Sequence, residues 1–489
     1  MSKVQATPGG IVQGYDRMDG LGLAHLIRTR QISAAEVLEE AIARLIEVNP
    51  SLNAVAEKLF DRGRAQVAVT SPRAGAFSGV PLVMKDIGTT VGGVRQTAGS
   101  LLAGDYTPDH DGEYAKRLFG QGFVLFATST APEFGVVYAT ESTRFGKTLN
   151  PWDTALTPGG SSGGSAALVA AGVVPLAHAN DGGGSIRIPA SCTGLFGLKP
   201  TRARTPAGPD IGEHWSGLGI EFALTRTVRD AAALLDAVHG PELGAPYAAP
   251  PAAVSYQAAI ARPPKRLRIA MCRSFGGHDV DPACIAAVED AAALLRDLGH
   301  DVVEAAPALD IDQLQWALYV IIAANTRSVV DMIGMIRGAP ATDDEIEPWT
   351  RLLVERSHSI SAHDYANALT VIHRIGRDFA TFLVDYDVLL TPTLGQRPQP
   401  VGELYTADIG QGFEAVCRRN LEFSPFTTLY NVSGHPAASV PLYWTEDDIP
   451  IGVQIGGRFG DEETLLTLAA ELEGARPWFG RRPLSREHS

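Results

Sequence analysis

Two serines set in glycine-rich loops and one lysine at the end of an apolar run are the residues of this 489-residue chain best placed to do chemistry. Ser161 lies in P-G-G-S-S-G-G-S, Ser185 lies in N-D-G-G-G-S-I-R, and Lys85 ends V-P-L-V-M-K. Glycine beside a serine permits positive φ and lets backbone N–H groups come close to a ligand, as stabilising an oxyanion requires. A serine so placed is a candidate nucleophile, able to form a covalent intermediate once a base takes its proton. For Lys85 the residues alone leave two readings open. It is a strand-end lysine reaching to water or pairing with Asp86, or it is desolvated among apolar neighbours, which lowers its pKa and leaves a neutral amine able to accept a proton.

The elements that must position these residues follow from periodicity and punctuation. A-A-L-V-A-A at 166–171 favours a helix, Gly172 can end it, and V-V-P-L-A reads as a short buried strand. The order loop, helix, strand, loop puts the two serines on turns that can meet at one end of a sheet. Val80 to Met84 reads as the buried strand that delivers Lys85. Glycine-rich loops before helices also bind phosphate, but G-x-x-x-x-G-K-[ST] and G-x-G-x-x-G are absent from the chain. Gly159 to Gly163 matches G-x-S-x-G, yet the turn-like N-P-W-D-T-A-L-T-P stands where a nucleophile elbow needs a strand.

Elsewhere the chain reads as α/β. Ser33-Ala-Ala-Glu36 is a capping box opening an amphipathic helix that Asn49-Pro50 is expected to stop. Helix and strand alternate over 108–150, predicting a mostly parallel or mixed sheet with helices on both faces. Residues 241–265 are a Pro/Ala-rich surface connector. Beyond it come strand R-L-R-I-A-M-C, a helix capped by Asp281 with Pro282 at its first position, strand D-V-V-E-A, and a nearly all-helical stretch over 310–382. Trp316 and Tyr319, three apart in that stretch, are core or a possible substrate wall. Asp230 reads as structural and His178 as a satisfied core histidine.

With 41 Lys+Arg against 55 Asp+Glu, a net charge of −14 disfavours nucleic acid or an anionic membrane as partner. Four scattered cysteines without C-x-x-C suggest neither zinc nor disulfides, hence reduced thiols and a cytoplasmic protein. The first ten residues, M-S-K-V-Q-A-T-P-G-G, lack a signal-peptide core, and the apolar run 166–179 is short and broken, so no membrane span is expected. His363 and His373 match no metal spacing; no metal or cofactor is expected.

The runs G-G-S-S-G-G-S-A-A, D-G-G-G-S-I-R-I-P-A, G-L-K-P-T and, upstream, V-P-L-V-M-K-D resemble the amidase signature enzymes, and similar features continue to P-I-G-V-Q-I near the end. The resemblance implies one amidase signature domain over 1–489: N-terminal helices at 1–66, a catalytic core at 67–240, the connector, and the remaining sheet and helical pocket region at 266–489. One large mixed β-sheet covered by helices on both faces is expected. It implies Ser185 as nucleophile, Ser161 with a cis peptide bond before it, and Lys85 as base, and the 24-residue spacing from 161 to 185 matches the family. The N–H groups of Gly182, Gly183, Gly184 and Ser185 would hold the oxyanion, with Asp181, Arg187 and Ser162 as structural support. Small-molecule amides are the implied substrates, and a homodimer stays open.

Asn180-Asp181-Gly182 departs from the Thr-Asp-Thr of many members. The glutamine-amidotransferase subunits of the family carry an aspartate just before a short F-T segment, where this chain reads Phe423-Ser424-Pro425-Phe426-Thr427, so transamidation of charged tRNA is not expected. I-P-A-S and N-V-S-G-H-P look similar to members acting on nylon-type amides such as 6-aminohexanoate cyclic dimer. Aryl or aliphatic amides, esters and carbamates remain alternatives, as does a non-catalytic binding protein; an unrelated α/β-hydrolase would put the nucleophile at Ser161 with a histidine base. His178→Ala is expected to keep most of its rate. Ser185→Ala is expected to abolish both turnover and fluorophosphonate labelling without unfolding the protein, and undiminished hydrolysis by that variant would refute Ser185 as nucleophile.

Overall fold

The computed structural model describes residues 12–69, 71 and 75–483. The reading of the first ten residues lies outside these. Strands β1 (Val55–Lys58), β2 (Pro81–Lys85) and β3 (Val124–Ser129) form a three-stranded sheet in the order β1-β3-β2. A small hairpin pairs β4 (Glu141–Ser142) with β5 (Gly146–Lys147). The main sheet has eight strands: β6 (Leu176–Asp181), β7 (Phe196–Lys199), β8 (Ile220–Thr225), β9 (Arg268–Met271), β10 (Asp301–Glu304), β11 (Val388–Pro392), β12 (Ala437–Trp444) and β13 (Pro450–Gly457). Their spatial order is β10-β9-β11-β13-β12-β7-β8-β6.

The main sheet is mixed. β9 runs parallel to β10 and β11, joined to β10 through the Pro282–Asp297 helix in the right order for a βαβ unit, while the remaining neighbours pair antiparallel. Successive strand residues point to opposite faces. Val388 and Leu390 enter one apolar core with the Ala34–Leu52, Val228–Val238, Pro282–Asp297 and Glu462–Ala475 helices, while Leu389 between them enters a second core. That second core holds the Ile311–Arg337, Ala362–Phe382 and Thr428–Ser433 helices. Helices therefore cover both faces.

The expected stop at Pro50 needs correction, and three further features go beyond the sequence reading. Lys85 does not sit in the main sheet: its strand belongs to the three-stranded sheet, whose β2 edge lies beside β6. There the Lys85 N–H donates to His178 Nδ1 at 3.2 Å, so a side chain occupies the place of a ladder bond. The Ala34–Leu52 helix runs through Pro50 and ends at Asn53 in the left-handed region. Pro50 leaves the carbonyl of Ile46 without its intrahelical donor, but Ile46 is 54% exposed and water can serve there. The Ile311–Arg337 helix is long and apolar enough to cross a membrane by length and composition, which the broken run at 166–179 is not; it packs one face into the second core. The connector contains a short helix, Tyr256–Ile260, docked by Asp236, which accepts from the N–H groups of Tyr256 and Gln257 at 2.6 and 3.0 Å.

The capping box is present as read, with Ser33 and Glu36 each accepting from the other's backbone. Asp230 caps a helix that is remote in sequence. Its carboxyl accepts from Gly20 N–H at 2.6 Å and Leu21 N–H at 3.0 Å, the first turn of the Gly20–Arg28 helix. Burial, reinforced by the neighbouring Asp19, pushes the Asp230 carboxyl up to about 8. Asp230→Ala leaves two buried donors unpaired and should cost about 1–3 kcal/mol in urea unfolding while leaving kcat within twofold. A stability unchanged from the parent would refute this cap.

Candidate active site

Every residue of β2 is buried, so Lys85 emerges from an apolar strand into the protein interior. Burial lowers its ammonium to about 7 against the opposing pull of Glu221 and Asp181. Of the two readings left open by the sequence, water-reaching and desolvated, the geometry is the second. Lys85 Nζ lies 2.8 Å from Ser161 Oγ, 2.9 Å from Ser162 Oγ and 2.7 Å from Asn180 Oδ1. Asp86 does not pair with it: its carboxylate accepts from the N–H groups of Thr97 and Gly99.

The first serine loop is pinned by Thr140, whose Oγ1 donates to Gly159 O at 2.8 Å and accepts from Gly163 N–H at 2.9 Å. The peptide bond between Gly160 and Ser161 is cis. Ser162 precedes the Gly163–Ala170 helix as its N-cap, but its hydroxyl makes no cap bond. That hydroxyl donates instead to Asn180 O at 3.3 Å and accepts from Lys85.

The second loop leaves β6 at Asp181 and enters the Arg187–Thr193 helix. Burial alone would raise the Asp181 carboxyl, but Arg187 and Asn431 hold it down at about 2. Arg187 Nε and Nη2 reach its two oxygens at 3.0 and 2.9 Å. The same carboxylate accepts from Gly184 N–H at 2.8 Å and Ile186 N–H at 3.2 Å. This corrects the expectation for Gly184, whose N–H is already committed to Asp181. Among the described residues the N–H groups of Gly182, Gly183 and Ser185 have no protein acceptor. Gly184 has φ +131°, and a Cβ on Gly182 would come within 2.7 Å of the Trp215 ring, so neither position admits a side chain without displacement.

Ser185 is buried beside this loop. The loop carbonyl of Gly183 accepts from Thr427 Oγ1 at 2.7 Å and Tyr138 Oη at 3.3 Å. Tyr138 and Trp215 thus flank the loop from two sides; Tyr138 lies in an irregular segment, Trp215 opens a three-residue 3-10 turn, and neither carries a local sequence signal. Tyr319 packs edge-on against Trp349 and Phe413, and Asn420 Nδ2 lies 3.3 Å from its hydroxyl. Burial, with Cys417 and Tyr138 near it, pushes the Tyr319 phenol well up. Trp316 does not join that cluster: one turn earlier on the same helix it faces outward, 36% exposed.

His178 is a satisfied core histidine, as read, but it is not remote from the lysine. Its Nδ1 accepts the Lys85 N–H, and its Nε2 lies 2.5 Å from Glu221 Oε2. His178→Ala would leave the buried Glu221 carboxylate with His214 alone and the Lys85 N–H without its acceptor, so a loss of stability is expected beside whatever rate is kept.

Lys85 meets Ser161 and Ser162, and the loop that follows Asn180 carries Ser185 and unpaired N–H groups, the residue types that acyl transfer by a serine nucleophile would use. The chain belongs to the amidase family, whose model matches residues 36–466, and it is an amidase. It is 38% identical over 478 residues to 6-aminohexanoate-cyclic-dimer hydrolase from Pseudomonas sp. (strain NK87), spanning 95% of this chain and 96% of that protein. A solved structure of 6-aminohexanoate cyclic dimer hydrolase complexed with substrate superposes with a TM-score of 0.92 at 36% identity, covering 96% of this chain and 99% of that one. A bacterial aryl acylamidase of the amidase signature family matches with a TM-score of 0.86 at 27% identity, covering 96% and 99%.

Arg187→Leu leaves Asp181 charged and buried without its cation. It should cost about 3–5 kcal/mol in chemical unfolding; a loss under about 1 kcal/mol would show that the pair does not brace the loop.

Proposed function

We propose that this amidase hydrolyses small, neutral amides of the nylon-oligomer type, cyclic or linear, with Lys85, Ser161 and Ser185 as its catalytic residues. The observation that carries the catalytic assignment is the 2.8 Å contact from Lys85 Nζ to Ser161 Oγ inside a fully buried site. A desolvated lysine near pKa 7 has a substantial share of its neutral amine at neutral pH, which is the form a base requires. As Ser185 Oγ attacks the amide carbonyl, its proton passes to Ser161 Oγ, and the Ser161 proton passes to the Lys85 lone pair. The N–H groups of Gly182, Gly183 and Ser185 face the developing oxyanion. The proton then returns along the same path to the leaving amine, and a water molecule, deprotonated by the same relay, cleaves the acyl-enzyme.

The substrate class rests on the likeness to hydrolases of 6-aminohexanoate cyclic dimer, spread over nearly the whole chain. The run Phe423–Thr427 carries no acid, and its Ser424 is a neutral hydroxyl bonded to Thr427 at 2.6 Å, which suits an uncharged amide. The aryl acylamidase likeness makes anilides the second substrate class to test. The reading takes a single-domain, cytoplasmic enzyme with reduced thiols and no cofactor, acting on a small molecule without nucleic acid or membrane; a homodimer is compatible with it. Trp316, being exposed, is left out of the pocket, and Tyr319 is kept in its wall.

A panel of 6-aminohexanoate cyclic and linear dimers, anilides, esters and carbamates tests the substrate class. Highest kcat/KM on the dimers is expected; a preference of more than about tenfold for anilides would move the assignment to the aryl amidases. For the base, the neutral fraction of Lys85 grows as pH rises through about 7, so kcat/KM should rise through that pH and stay high above it. Lys85→Arg should lose about three or more orders of magnitude, because guanidinium keeps its proton at any workable pH. Near-parent activity in Lys85→Arg would exclude lysine as the base.

A further inference from the structure

A neutral amine has two N–H groups and one lone pair, yet Lys85 Nζ has three partners at hydrogen-bond distance. Which partner meets the lone pair decides whether the amine can act as base toward Ser161. Asn180 Oδ1, at 2.7 Å, is an acceptor only. Ser162 Oγ, at 2.9 Å, sends its own hydrogen to Asn180 O and so also accepts from the amine. Both N–H groups are thereby used, and the lone pair is left to the Ser161 hydroxyl.

The orientation of the Asn180 amide is itself fixed. Its Nδ2 donates to Ile87 O at 3.0 Å and lies 3.5 Å from Glu221 Oε1. Glu221 is fully buried. Burial alone would raise its carboxyl, but His178 and His214 hold it well below the usual range. His178 Nε2 stands 2.5 Å from one oxygen and His214 Nε2 stands 3.1 Å from the other. His178 must donate through Nε2, because its Nδ1 accepts the Lys85 N–H. An ionised carboxylate on this side attracts the amide NH2 and repels the amide oxygen, so the oxygen turns to Lys85.

We infer that Asn180 is a positioning residue that aims the lone pair of Lys85 at Ser161, and that Glu221, held by His178 with His214 beside it, keeps Asn180 in that orientation. The inference rests on Lys85 acting as base. In the reaction the Ser161 O–H bond breaks, its hydrogen joins the Lys85 lone pair, and Ser161 Oγ takes the proton of Ser185 Oγ; Asn180 and Glu221 exchange no proton. A hydroxyl at position 180 could turn and donate to the amine, diverting the lone pair from Ser161. The carboxamide, held as it is, cannot.

The charged groups facing Lys85 are Glu221 from β8 and Asp181 from β6, with the His178 imidazole of β6 against the Lys85 backbone. They set the sign of the test. Asn180→Leu, close in volume and without an acceptor, should lower kcat about 10- to 100-fold with KM within twofold. Asn180→Asp keeps an acceptor but adds a negative charge, which favours the ammonium. Its ascending pH–rate limb should move to higher pH, and its rate above that limb should recover to within a few-fold of the parent. Glu221→Gln removes a negative charge, so its limb should move to lower pH while kcat falls.

Lys85→Ala is run alongside, with circular dichroism on every variant. Parent-like kcat and an unmoved limb in Asn180→Leu, with Lys85→Ala inactive, would overturn the inference and leave the lysine base standing. Activity in Lys85→Ala would remove the base itself. Shifts of the same sign in Asn180→Asp and Glu221→Gln would also overturn it. If Glu221→Gln fails to fold, the two Asn180 variants decide the matter through kcat, KM and the limb.

Discussion

One guanidinium beneath the candidate nucleophile has all five of its N–H groups engaged. Arg187 donates through Nε and Nη2 to Asp181, through Nη1 to Thr427 O and Gln454 Oε1, and through its remaining Nη2 hydrogen to Asn431 Oδ1. These partners come from β6, the Phe426–Ser433 region and β13, which are far apart in sequence. Asn431 returns a bond to each of the Asp181 carboxylate and backbone carbonyl, at 2.8 and 3.1 Å. A fully buried ion pair survives desolvation only when its remaining donors and acceptors are satisfied, and here they are. The consequence is chemical as well as mechanical: Asp181 takes the N–H of Gly184 and leaves those of Gly182, Gly183 and Ser185 aimed elsewhere. The same pair that folds the loop selects which of its amides are free to bind an oxyanion.

Burial of a lysine does not by itself make a base. Lys199, at the end of β7, is as buried as Lys85, and desolvation brings it to about 7 as well. Its Nζ, however, donates to the adjacent Pro200 carbonyl at 2.8 Å, and no serine hydroxyl is among its partners in the described residues. Lys85 differs in its neighbours: two hydroxyls and a carboxamide whose hydrogens are all assigned. Proton transfer is set first by geometry and then by pKa, and the two lysines separate those factors within one molecule.

What was legible in the sequence was local. The Ser33–Glu36 capping box, the Asp281–Pro282 helix start, the apolar strand ending at Lys85 and the two serine loops each depend on residues a few positions apart, where turn and cap chemistry is written directly. What was hidden depends on distant partners. Glu221 is an ordinary acid in sequence; only the pairing of β8 with β6, which sets Asn180 opposite it, gives it a bearing on the lysine. Trp215 opens a three-residue 3-10 turn and Tyr138 lies in an irregular segment, so nothing in their spacing marks them as walls of the loop. The pair Trp316 and Tyr319 looked alike by period, yet one faces solvent and the other an aromatic cluster, because the helix has a second core on one side only. The split between the two sheets could not be read at all, since β2 meets β6 through the His178 ring, a contact between residues 93 positions apart.

Ser424 carries the argument toward the substrate. Its hydroxyl lies 2.6 Å from Thr427 Oγ1, and Thr427 in turn donates to Gly183 O. The Ser424 side chain is thereby tied into the brace of the candidate nucleophile loop. A carboxylate at position 424 would have to be desolvated, and Arg187, the cation bonded to this segment and already paired with the buried Asp181, has no donor left for it. The short hydroxyl chain avoids that cost and leaves this wall of the site neutral. One pair of hydrogen bonds therefore both keeps position 424 uncharged and ties the candidate nucleophile loop to the Thr427 segment.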